Sequence, residues 1–176
     1  MRIEEFKPQL EAARPDTAEL LRSAQLTVHP AVSYITLHGS RGLAGGERPD
    51  SDVDLCLVVD AARLAGAPDP AAFLDQVLRT TLDAWAGPVD ADLAAAWDER
   101  GCGLQCLTGA AFLSIRVDSC QSAASFPPEA GQNCFGLYKI QKGFSGFVRD
   151  GVEVRRMLPC LVIWRTPQVA AEESEP

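Results

Sequence analysis

The stretch that most constrains this chain runs from Leu37 to Asp60, LHGSRGLAGGERPDSDVDLCLVVD. Just before and into it, residues 31–38, AVSYITLH, are rich in β-branched and aromatic types and predict a strand. Residues 52–59, DVDLCLVV, predict a second. Val53, Leu55, Leu57 and Val59 point one way; Asp52, Asp54 and Cys56 point the other. A glycine-rich connection beginning at Gly39-Ser40 joins the two. The second strand therefore opens with two carboxylates on one face. Carboxylates held that close repel unless something neutralises them. A hard divalent cation does so through oxygen ligands, with phosphate and water in its remaining positions. Gly39 allows close approach of a ligand to the backbone. Backbone N–H groups and the Ser40 hydroxyl, at a helix start, can bind phosphate oxygens. A phosphate cradle beside an aspartate pair is what metal-assisted phosphoryl or nucleotidyl transfer requires.

The elements around this segment predict an α/β (α+β) chain. Residues 2–24 read as helix, with Ile3, Phe6, Leu10 and Ala13 on one face. Pro15 is expected to split it in two, with Asp16 or Thr17 near the second start. Asp69-Pro70 pairs an N-cap with a proline at the first helical position. The helix it starts is expected to reach Trp85, with Phe73, Val77, Leu78, Leu82 and Trp85 as its apolar stripe. Gly87-Pro88 stops it. Residues 89–97, VDADLAAAW, predict the next strand, with Asp90 and Asp92 together on one face. Further strands are expected over 112–118 and 158–164, a loop over 120–136, and a disordered acidic tail over 169–176. The glycine-interrupted run 135–149 gives no clear periodicity.

The combination resembles the signature of the DNA-polymerase-β-like nucleotidyltransferase superfamily. That signature is an apolar residue, Gly-Ser, a spacer of about ten residues, then Asp-x-Asp. Here it reads Gly39-Ser40-Arg41-Gly42 followed by Ser51-Asp52-Val53-Asp54-Leu55 and is similar to the minimal nucleotidyltransferases, which include antitoxin-like and antibiotic-modifying members. The resemblance implies a nucleotidyltransferase fold, a small mixed β-sheet with helices mainly on one face. The local match covers about residues 35–60, and the strand–loop–strand–helix–strand order extends it to about residue 97. Residues 1–100 are expected to form the core with its N-terminal helices, and residues 101–168 a C-terminal extension of the same domain. The resemblance implies that Gly39 and Ser40 hold the β/γ-phosphates of a nucleoside triphosphate. Arg41, the next residue, is a further candidate for contact with the triphosphate. Asp52 and Asp54 then hold Mg²⁺ or Mn²⁺. A third carboxylate on the following strand helps to activate the attacking hydroxyl. Asp92 is preferred for that role because it lies nearer mid-strand, with Asp90 as the alternative. Transfer of a nucleoside monophosphate, AMP above others, to a small-molecule or protein hydroxyl follows. The competing reading is a catalytically degenerate, antitoxin-like member that binds a protein partner. For Arg41 the bland alternative is a solvated loop residue, and for His38 a structural histidine.

Charge narrows the partners. The net charge is −8, and Lys7, Lys139 and Lys142 are the lysines of the chain. Long nucleic acid, whose binding depends on phosphate contacts, is disfavoured. Lys139 and Lys142 read either as caps for a triphosphate or as lysines on an exposed sheet edge. No apolar run suits a membrane span, and the charged N-terminus lacks the apolar region of a signal peptide, so a cytoplasmic protein is expected. In that setting disulfides are disfavoured. Cys56 and Cys160 sit in apolar runs and read as small buried hydrophobes. Cys102, Cys106, Cys120 and Cys134 are candidate ligands of a structural zinc site, although C-x3-C followed by isolated cysteines departs from paired C-x2-C knuckles.

Overall fold

A computed structural model describes residues 8–98, 135–140, 146–148 and 160–166. The cysteines at 102, 106, 120 and 134, Lys142, the strand expected over 112–118 and the acidic tail lie outside the described residues. The order of elements is α1 (Pro8–Ala13), α2 (Pro15–Ser23), β1 (Val32–His38), β2 (Val53–Val59), α3 (Ala61–Ala65), α4 (Pro70–Leu82), β3 (Ala91–Asp98), β4 (Phe135–Lys139), β5 (Gly146–Val148) and β6 (Leu161–Arg165). Among the described residues the strands form one mixed sheet, ordered β5-β4-β3-β2-β1-β6. β2 and β3 are parallel, and the other neighbouring pairs are antiparallel. No helix among the described residues is long and apolar enough to cross a membrane.

Local chemistry accounts for the helix boundaries. Pro15 separates α1 from α2 and opens the second helix. Asp69 caps α4 by accepting from the Ala72 N–H at 3.0 Å. α4 stops at Leu82, short of the expected Trp85, and its buried face is Leu74, Val77, Leu78 and Thr81. Phe73, Leu82 and Trp85 pack partly buried beside that face rather than forming it. The Trp85 indole instead closes the turn after the helix, donating to the Val89 carbonyl at 2.8 Å. The short α3 was not expected. It forms because the Asp60 carboxylate accepts from both Ala62 N–H (2.8 Å) and Arg63 N–H (3.2 Å).

The odd-numbered face of the central strands builds the core. Ile35, Leu37, Leu55, Leu57, Leu93 and Ile163 meet Leu10, Leu21, Leu74 and Leu78 from the helices, all of them 0% exposed. The even-numbered face is also closed over much of its area: Thr36, Cys56 and Ala96 are fully buried and Cys160 nearly so. Burial raises the Cys56 thiol well above its ordinary value of 9.0, with Cys160 adding to the effect. Burial pushes the Cys160 thiol up to about 12. Both stay neutral thiols in the folded chain and are inert as nucleophiles.

Two outcomes test this architecture. Leu55→Ala should lower unfolding free energy by about 2–5 kcal/mol, read from the midpoint of urea denaturation. Iodoacetamide at pH 8 should leave Cys56 and Cys160 unmodified in native protein and alkylate both after unfolding, as peptide mass mapping would show. Unfolded thiols ionise near pH 9 while the folded ones do not. Their contribution is therefore intact below that pH, and stability should fall as pH rises above it.

Candidate active site

The site forms where the end of β1 meets the starts of β2 and β3. Parallel pairing sets Asp54 directly beside Asp92, and antiparallel pairing sets His38 opposite Asp54. Asp52 precedes Asp54 by two residues and shares its side of the strand. One carboxylate oxygen from each of Asp52, Asp54 and Asp92 can be chosen so that all lie within 4.8 Å of one another. Asp52 and Asp54 are half-buried; Asp92 is 5% exposed. The trio stands on the even-numbered face, opposite the helix-packed core. Of the two third-carboxylate candidates, the structure brings Asp92 into the group. Asp90 is exposed and stands outside the trio, at the rim of the adjoining cleft.

The Gly39 position explains its residue type. Its φ is +70°, a region that side chains rarely tolerate. A Cβ there would sit 2.6 Å from Asp54 Cγ and closer still to Oδ2. Glycine thus makes room for the carboxylate itself. Ser40 lines an open cleft of about 600 Å³ together with Gly46, Arg48, Asp50, Ser51, Asp52 and Asp90. The helix start expected at Gly39-Ser40 is absent. The chain instead makes successive turns, with the Gly42 N–H donating to the Gly39 carbonyl (3.1 Å) and the Gly45 N–H to Gly42 (3.3 Å). Gly45 and Gly46 both have positive φ, which breaks helical propagation.

Arg41 is neither a solvated loop residue nor presented to the cleft. It is 6% exposed, and its guanidinium is engaged by the loop. Nε donates to the Ser51 carbonyl at 2.7 Å, and Nη2 donates to Pro49 at 3.0 Å and Arg48 at 3.3 Å. Planar donors in a fixed fork suit this clamping of one loop by its own first turn. A second brace comes from Arg14, between α1 and α2. It donates to the Gly42 carbonyl at 3.3 Å and pairs with Glu47 at 2.9 Å. Local patterning gave no signal for Arg14, because its partners lie 28 and 33 residues away. Lys139 was also assigned differently from sequence. β4 has β3 on one side and β5 on the other, so Lys139 is not on an edge, and its Nζ donates to Asp92 Oδ2 at 3.2 Å.

This donor set fits a small hard cation. Oxygen ligands are gathered at one point, with a half-open side for water or phosphate. Asp52 and Asp54 would hold the ion, and Asp92 would complete the set.

Gly39→Ala should destabilise the chain by about 1–3 kcal/mol through the forced backbone and the displaced Asp54. Arg41→Met should cost at least about 2 kcal/mol, since each charged hydrogen bond lost contributes on the order of 1.5–3 kcal/mol. Limited proteolysis should then cut selectively between residues 42 and 50, whereas Arg48→Met should leave that loop as resistant as wild type.

No protein-family model, curated protein or solved structure matches the chain.

Proposed function

We propose that this chain is a divalent-cation-dependent nucleotidyltransferase. The observation that carries the reading is the convergence of Asp52, Asp54 and Asp92 beside the Gly39-Ser40 turn. Asp52, Asp54 and Asp92 would hold Mg²⁺ or Mn²⁺ there, and the bound ion would supply Lewis-acid charge at the phosphates. The protein's own part is positional. Ser40 and the turn amides receive the triphosphate in the cleft, near the exposed Arg48 guanidinium. Asp92, the buried carboxylate, orients the acceptor hydroxyl by accepting its hydrogen bond. The hydroxyl oxygen attacks the α-phosphate as its proton passes to the Asp92 carboxylate, the bond to the β-phosphate breaks, and pyrophosphate leaves. The rigid loop, held by Arg41 and Arg14, keeps these groups pre-organised, which is where such sites gain most of their rate.

The fold reading belongs with this proposal. A β1–loop–β2 pair carrying Gly-Ser and Asp-x-Asp, then a helix and a parallel β3 carrying a third carboxylate, is consistent with the nucleotidyltransferase arrangement that the signature implies. The acceptor class is a small molecule or a protein side chain, since a net charge of −8 disfavours long nucleic acid.

With α-labelled ATP, GTP, CTP or UTP and Mg²⁺, purified protein should move label onto a hydroxyl acceptor and release pyrophosphate. Asp54→Asn should lower that rate at least about 100-fold, in line with losing a principal charge-stabilising group. An equal rate in wild type and Asp52→Asn/Asp54→Asn would sink the proposal. A chain that captures a protein partner but neither binds nor turns over any triphosphate would be the partner-binding alternative.

A further inference from the structure

Lys139 is one of three lysines in the chain, and it is turned inward. Tyr138 pairs with Ala95 across β4 and β3, so Lys139 falls on the opposite face, that of Ala94 and Asp92. The small Ala94 keeps that strip of the sheet low, and a lysine stem can run along it. Nζ reaches Asp92 Oδ2 at 3.2 Å, with the two side chains 25% and 4% exposed. Removing the lysine would leave the buried Asp92 carboxylate without its cationic partner.

We propose that Lys139 sets the metal stoichiometry of the carboxylate trio, standing in for a second cation so that the protein alone takes one divalent ion. The inference rests on the divalent-cation reading of Asp52, Asp54 and Asp92. Carboxylates bind a divalent ion in their deprotonated form, so the trio brings three negative charges to the metal; the lysine brings the group to two. One divalent ion then neutralises the site, and a second would leave it strongly positive at short range. Lys139 is a positioning residue in this account. It fixes Asp92 and limits the charge available to metal, without touching substrate. A second divalent ion in the reaction arrives with the triphosphate and its own negative charge.

The test is Mn²⁺ titration of the full chain without nucleotide, with free Mn²⁺ followed by electron paramagnetic resonance. Wild type should bind one ion. Lys139→Arg should also bind one, with affinity within about threefold. Lys139→Met should bind its first ion at least about tenfold more tightly, the size expected when a positive charge a few ångströms away is removed even under strong screening. It should also admit a second ion. Lys139→Met/Asp92→Asn should return to one ion. Two ions on wild type would overturn the inference, and that measurement stands even if Lys139→Met fails to fold. One ion with unchanged affinity in Lys139→Met would overturn the role of the lysine alone. No Mn²⁺ on wild type or on any variant would overturn the carboxylate reading and this inference together.

Discussion

Pairing of β2 with β3 in parallel register is the constraint on which the rest of the molecule depends. It is fixed by the hydrophobic face: Val53, Leu55 and Leu57 lie beside Ala91, Leu93 and Ala95, all facing the helix-packed core. A slip of one residue would turn a charged set into that core and leave the leucines outside. The same register that buries the leucines therefore sets Asp54 beside Asp92 on the other face. Core packing and site geometry are two consequences of one alignment.

Two carboxylates side by side on a largely closed face raise an electrostatic problem, and the surrounding chain answers it locally. Gly39 yields the space that a Cβ would take from Asp54. Lys139 supplies a positive charge to Asp92. Arg41 and Arg14 engage the carbonyls of the loop between β1 and β2 and so hold its shape. These restraints come from α1–α2, the loop and β4, so separate elements converge on the site. Restraint from several elements is what a site acting through electrostatic pre-organisation needs.

The central strands and α4 were legible in sequence because their signals are local. Period-two alternation marks Val53–Val59, and Asp69-Pro70 marks the start of α4. Asp52 and Asp54 were legible as a same-face pair for the same reason. Strand parity alone put Asp90 and Asp92 on equal terms; the resemblance asked for a third carboxylate, and a place nearer mid-strand favoured Asp92. β4 and β5 were not visible. Phe135–Lys139 contains a glycine and spans five residues, and Gly146–Val148 spans three. Strands so short are set by their neighbours rather than by propensity. The Lys139–Asp92 pair joins residues 47 apart, and no spacing rule reaches that far. The loop contacts of Arg41 were not legible, because a loop arginine beside a phosphate motif suggests either a ligand contact or a solvated side chain. The carbonyls that engage it become visible once the loop folds back on itself.

The central claim is that Asp52, Asp54 and Asp92 form a site where a divalent cation and a triphosphate bind together. Calorimetric titration of ATP, GTP, CTP and UTP, with and without Mg²⁺, into wild type and Asp52→Asn/Asp54→Asn tests it most directly. The account predicts binding that needs Mg²⁺ and vanishes in the double variant. Triphosphate binding that is indifferent to Mg²⁺ and to both aspartates, or no binding at all, would contradict it.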